Sequence, residues 1–162
     1  MSNAPFFVDR EIIVISSNGV WLSDGVEISH IPTRSLFAKS LKRDQEGYFL
    51  QIGRETKHIE VEDTAYFINR IHGNSETGYT LEISDETQEK LIPQTLRYQP
   101  GRLSCSIKIQ NSLAQSEEAK FLHIAYFDLL KNLEEDDELY FLVIENQRVN
   151  LAIKMNRKEK PV

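Results

Sequence analysis

A five-residue apolar run, Tyr48-Phe49-Leu50-Gln51-Ile52, recurs 92 residues further on as Tyr140-Phe141-Leu142-Val143-Ile144. The same offset carries Phe37 to Leu129, Lys39 to Lys131, Leu41 to Leu133 and Asp44 to Asp136. An ungapped register of this length is harder to obtain by chance than a helix followed by a hairpin. With two residues deleted in the turn, Ile59 and Val61 fall on Val149 and Leu151. The sequence therefore predicts an α+β protein of duplicated β-β-α-β-β units with antiparallel sheets: a first repeat at 9–65, a second at 66–154, and a basic tail at 155–162 expected to be disordered. Each half offers one apolar sheet face and one helix, too little to stand alone, so the halves must share an interface.

The local signals fill in this frame. Glu11 to Ile15 is β-branched, and Asn18-Gly19 before Val20-Trp21-Leu22 marks a hairpin turn. Pro32 suits the first turn of a helix; Leu36, Phe37 and Leu41 follow at helical spacing, which predicts a helix from Pro32 to Arg43. Tyr48–Ile52 and His58–Glu62 read as strands joined across Gly53, and Tyr66–Ile71 with Tyr79–Ile83 as a hairpin turning at 73–78. The polar stretch from Ser84 to Pro100 reads as a long connection, and a strand follows at 102–109. Leu122, Tyr126, Leu129 and Leu133 form an apolar stripe, which predicts a helix over 117–133. Leu139–Ile144 and Arg148–Ile153 close the chain as a hairpin around Asn146-Gln147.

Charge and composition exclude several functions. The net charge of -6 opposes binding to duplex nucleic acid through the global field. The longest apolar runs, at 12–15 and 139–144, fall far short of the roughly 20 residues a membrane helix needs. The first residues carry no basic segment before an apolar core, so the expected location is cytoplasmic. Cys105 is the one cysteine and lies in an alternating run, where a structural thiol is expected rather than a nucleophile.

The frame Gly19-x-Trp21, Gly25-x-x-Ile28, Leu36-Phe37-x-x-x-Leu41, Gly47-Tyr48-x-Leu50 and Glu55-x-x-x-Ile59-Glu60-Val61-Glu62-Asp63 resembles the bacterial domain of unknown function 1285 family. The match is closest over 11–67 and looser through Ala119-Lys120-Phe121, Tyr126-Phe127-x-Leu129-Leu130 and the last hairpin. Ile52-Gly53 and Ala65 stand where family members usually carry a Thr-Pro step and a proline. The resemblance implies a duplicated α+β core, with a C-terminal half similar to pleckstrin-homology-like folds. It also implies an accessory role in bacterial signalling, with a nucleotide-like ligand in the groove between the halves.

No nucleophile elbow, Walker loop or dinucleotide fingerprint is present, so a non-enzymatic binding module without a cofactor is the preferred expectation. Trp21, Arg43, Arg54 and Lys57 supply the aromatic and cations that a nucleotide-like molecule needs, and Asp63 completes the ligand-binding set. Two alternatives stand beside it. One is a metal-assisted hydrolase, since His58, Glu60 and Glu62 share a strand face next to Asp63; a solvated face is the plainer account of the same spacing. The other is an adaptor that pairs a protein partner with the final hairpin or a sheet edge. His30, His72 and His123 are isolated, and the acidic run 134–138 is expected to be a solvated turn.

Overall fold

Gly19 sits where only a glycine fits. Its φ of +78° closes the first turn, in which the Gly19 amide donates to the Ser16 carbonyl and the Ser16 amide to the Val20 carbonyl, and a Cβ at this position would lie 3.2 Å from the Phe67 ring. A computed structural model describes residues 4–109 and 116–155; the predicted tail from 156 on lies outside the described residues. The turn joins β1 (Ile13–Ile15) to β2 (Trp21–Ser23), which pairs in turn with β3 (Val26–Glu27). The helix α1 (Ile31–Ser40) is capped by the His30 ring, which accepts from the Thr33 amide, and carries Pro32 in its first turn.

This helix ends earlier than its apolar spacing predicts. Leu41 is extended and opens β4 (Leu41–Asp44), because it is buried opposite Leu50 in β5 (Gly47–Ile52). The chain continues into β6 (Glu55–His58), which completes an antiparallel meander in the order β4-β5-β6. At Ile59 it changes sheets: β7 (Glu60–Val61) runs parallel to β1. The predicted single strand from His58 to Glu62 is therefore two strands of different sheets.

The second half is built around β8 (Tyr66–Asn74) and β9 (Gly78–Ile83), paired as predicted. Gly73 has a φ of +118°, and a Cβ there would stand 2.2 Å from the Gly78 carbonyl oxygen. The expected long connection contains β10 (Gln88–Lys90), a 3-10 turn at Pro93–Thr95 and β11 (Arg97–Gln99). Then come β12 (Arg102–Ile107) and β13 (Glu117–Phe121). The helix expected from 117 starts only at α2 (His123–Leu130), because Glu117, Ala119 and Phe121 are buried in alternation, the period of a strand. The remaining strands, β14 (Glu134–Glu135), β15 (Leu139–Ile144) and β16 (Gln147–Ile153), form a second antiparallel meander.

The six-stranded sheet has the order β10-β9-β8-β13-β12-β11, with β8 and β13 parallel. The architecture is α+β, but two of its sheets are mixed, through the parallel pairs β1–β7 and β8–β13, while the two meanders are antiparallel as expected. A helix followed by a three-stranded meander occurs twice: α1 and α2 begin 92 residues apart, and so do β5 and β15, and β6 and β16. The packing of the two helices differs, since α1 rests on β5 while α2 lies on β8 and β13. One apolar core runs through both halves, from Ile13, Ile15 and Phe37 through Leu50 and Phe67 to Leu103, Leu129 and Leu142. Among the described residues, no helix is long and apolar enough to cross a membrane.

Candidate functional site

An apolar concavity lies where α2, β11, β15 and β16 meet without filling the space between them. Leu130 from the end of α2, Leu133 after it, Tyr98 from β11, Tyr140 from β15, and Leu151 and Ile153 from β16 enclose about 470 Å³. That volume falls within the range of small-molecule sites, roughly 300 to 1,000 Å³. Pro100 and Met155 stand at its rim, and Ile153 and Met155 are 78% and 93% exposed.

Polar groups at the site are few and placed. Burial, and then the hydrogen bond with Tyr98, raises the Tyr126 hydroxyl above the ordinary tyrosine range. Lys154 brings its ammonium to 5.5 Å from the centre of the Tyr140 ring and pairs with Glu135 at 2.8 Å. That pair holds the lysine above its usual value, so a protonated ammonium, matched by Glu135, stands beside a ring that lines the pocket. Aromatic rings, branched aliphatics and one cation suit an amphipathic small molecule with an apolar body and a single anionic group.

The structure disperses the residues that the sequence nominated. Trp21 is buried and meets Phe37 edge to face at 5.6 Å, which makes it a core residue with no free ring face to stack on. Arg43 lies over the Tyr48 ring, 5.1 Å from its centre, and pairs with Glu117 at 3.2 Å. Arg54 is exposed in the β5–β6 turn, at the far end of β5 from Arg43, about 17 Å away by strand rise. Lys57 donates to the Val8 carbonyl, and Asp63 is held by Arg102 at 2.9 Å and Lys120 at 3.3 Å, which keeps its carboxyl below the usual aspartate range. The hydrolase face does not assemble either. Glu62 accepts from the Ser17 amide, Asp63 is in its ion pairs, and His58 turns toward Asp44 and Glu46.

The groove expected between the halves is crossed by polar contacts. Glu117, 5% exposed, accepts a 2.6 Å hydrogen bond from the Tyr48 hydroxyl and two from Arg43. Burial, and then the Glu117 carboxylate, raises the Tyr48 hydroxyl well above the ordinary range, so it remains a donor. Lys120 donates to the Ser17 carbonyl, and Lys39 pairs with Glu86 at 2.6 Å. No sequence signal joins the walls of the apolar pocket, which come from 98, 130–133, 140 and 151–155; their one local mark is the outward Ile153 at the end of β16 and Met155 after it.

These features define a mostly β, two-helix α+β protein with a single core and an apolar surface pocket. Among solved structures the chain is similar to a DUF1285 family protein from Silicibacter pomeroyi DSS-3, at 16% identity and a TM-score of 0.58, over 87% of this chain and 79% of that one. It is also similar to a DUF1285 family protein from Shewanella baltica OS155, at 16% identity and a TM-score of 0.57, over 76% of this chain and 94% of that one. The family resemblance read from the N-terminal motifs is thus met by two bacterial structures, and at this identity the likeness establishes the fold. No family model matches the chain, and no curated protein matches it.

Proposed function

We propose that this chain is a small-molecule-binding module, accessory to bacterial signalling, whose ligand occupies the pocket formed by Tyr98, Leu130, Leu133, Tyr140 and Leu151. The pocket's combination of volume and apolar lining carries this reading. It moves the ligand away from the groove between the halves, where Arg43 and Asp63 are engaged in ion pairs. The ligand class is an amphipathic carboxylate or sulfonate, its anionic group beside Lys154 and its apolar body against the two tyrosines. The 92-residue spacing of the two helix–meander units supports a duplicated core in which one copy kept an open apolar face.

The test uses anilinonaphthalene sulfonate, which has an apolar body and one anion. Saturable fluorescence enhancement is expected for the native chain and should fall at least about tenfold in affinity for Ile153→Glu and Leu133→Glu, whose side chains are exposed enough to leave folding intact. Competition by aromatic monocarboxylates but not by nucleoside monophosphates identifies the ligand class, whereas competition by nucleotides restores the nucleotide-like reading. Equal probe affinity in the native chain and both variants refutes the site.

A further inference from the structure

Three side chains at the β4–β5 turn and on β6 stand in a relation that the pocket does not involve. His58 Nε2 lies 3.7 Å from Asp44 Oδ2 and 3.5 Å from Glu46 Oε2, and one ligand atom from each residue falls within 4.8 Å of the others. We propose that Asp44, Glu46 and His58 form a zinc site with three protein ligands and an open fourth position for water.

The spacing favours this ion. Zinc binds imidazole nitrogen and carboxylate oxygen at about 2.0 to 2.2 Å, so two ligand atoms at a tetrahedral centre are about 3.4 Å apart. Both histidine-to-carboxylate distances lie within a few tenths of an ångström of that value. An octahedral magnesium site would bring neighbouring ligands to about 2.9 Å and would prefer oxygen alone, so the imidazole selects against it. Two carboxylates balance the dication's charge.

The meander sets Asp44 and His58 near each other, and the exposed turn between β4 and β5 supplies Glu46. Asp44 Oδ1 accepts from the Glu46 amide at 2.8 Å, which leaves Oδ2 as the oxygen nearest the imidazole. Gly47, the residue opposite Asp44, has no side chain, and Phe49, opposite His58, lies against the imidazole with ring centres 5.7 Å apart. The loop between β4 and β5 is short, so ordering the site costs little conformational entropy. Asp44 is half-buried while Glu46 and His58 are exposed, so an ion held there would exchange with solvent and leave room for water at a fourth position.

Isothermal titration of the full chain with zinc chloride at neutral pH, repeated on His58→Ala, Asp44→Asn and His72→Ala, tests this. The expected result is one zinc per chain, weakened by roughly tenfold or more in each of the first two variants and unchanged in His72→Ala, whose ring pairs with Glu82 on another strand. Circular dichroism of each variant separates a lost ligand from a lost fold, and magnesium chloride serves as the control that should give no comparable heat. Absence of stoichiometric zinc binding overturns the proposal. So does zinc affinity that survives either His58→Ala or Asp44→Asn in a folded chain.

Discussion

Replacing Tyr48 by Phe removes one hydroxyl and nothing else, which makes it the cleanest probe of how the halves are joined. That hydroxyl donates at 2.6 Å to Glu117, a carboxylate only 5% exposed, and Arg43 supplies the other two bonds at 3.2 Å each. A hydrogen bond to a charged group contributes about 1.5 to 3 kcal/mol, and here its loss also leaves a buried carboxylate short of a donor. Tyr48→Phe should therefore destabilise by about 2 kcal/mol. Arg43→Met should cost less, about 0.5 to 1 kcal/mol, because the Arg43 side chain is 47% exposed and water screens its pair. Glu117→Gln keeps the shape but weakens the acceptor, so in the double variant the hydroxyl has less to lose. The cycle of Tyr48→Phe with Glu117→Gln should show about 1 kcal/mol or more of coupling. Urea unfolding followed by tryptophan emission reads this directly: with a slope of about 1 to 3 kcal/mol per molar, Tyr48→Phe moves the midpoint by about 1 M. Additive single variants, or a Tyr48→Phe midpoint within about 0.2 M of the native one, would refute the argument.

Truncation of Phe37 or Leu129 to Ala, both in the shared core, should each cost about 2 to 5 kcal/mol by urea unfolding. Gly73→Ala forces a Cβ against the Gly78 carbonyl at a positive φ and should lower the thermal midpoint by more than Gly25→Ala, where the space is open. Arg148 holds the Asp136 carboxyl at about 2, below its ordinary 3.8; that contribution is present above the ordinary value and is lost as pH falls from about 3.8 toward 2. An acid titration of stability should flatten over this window in Asp136→Asn. Burial lifts the Cys105 thiol to about 12, so a thiol-reactive chromogen at pH 8 should label the native chain slowly and the urea-unfolded chain at once.

The hairpins at Asn18-Gly19 and 73–78 were legible because each carries its own turn chemistry, whereas the last turn, expected at Asn146-Gln147, falls one residue earlier at Glu145-Asn146, where both residues take positive φ and Gln147 opens β16. The stretch from 117 to 121 was not legible. Its apolar residues suit a strand at period two and continue into Leu122 and Tyr126 at helical spacing, so the longer pattern masked the shorter. The short strands at 88–90 and 97–99 carry charged and polar residues and owe their pairing to neighbours, which no local signal records. The neighbours of His58 are not the ones its strand spacing suggested. Alternation along a strand places His58 with Glu60 and Glu62, but the chain leaves the meander at Ile59, and the carboxylates beside the ring come from Asp44 at the end of β4 and Glu46 in the turn after it.

The position of β13 also sets the order in which the molecule can be made. It lies between β8 and β12, yet it follows both in the chain: Ala119 pairs with Tyr66 and Cys105 at once. On a ribosome, β8 and β12 emerge first and wait with open edges, their backbone donors and acceptors unpaired, until residue 121 clears the exit tunnel. During that interval the nascent chain presents two apolar strand edges to any neighbour, the situation that leads to edge-to-edge association. A chain released before β13 is complete has a gap in the middle of its largest sheet, so premature termination there yields a sticky fragment rather than a smaller folded domain.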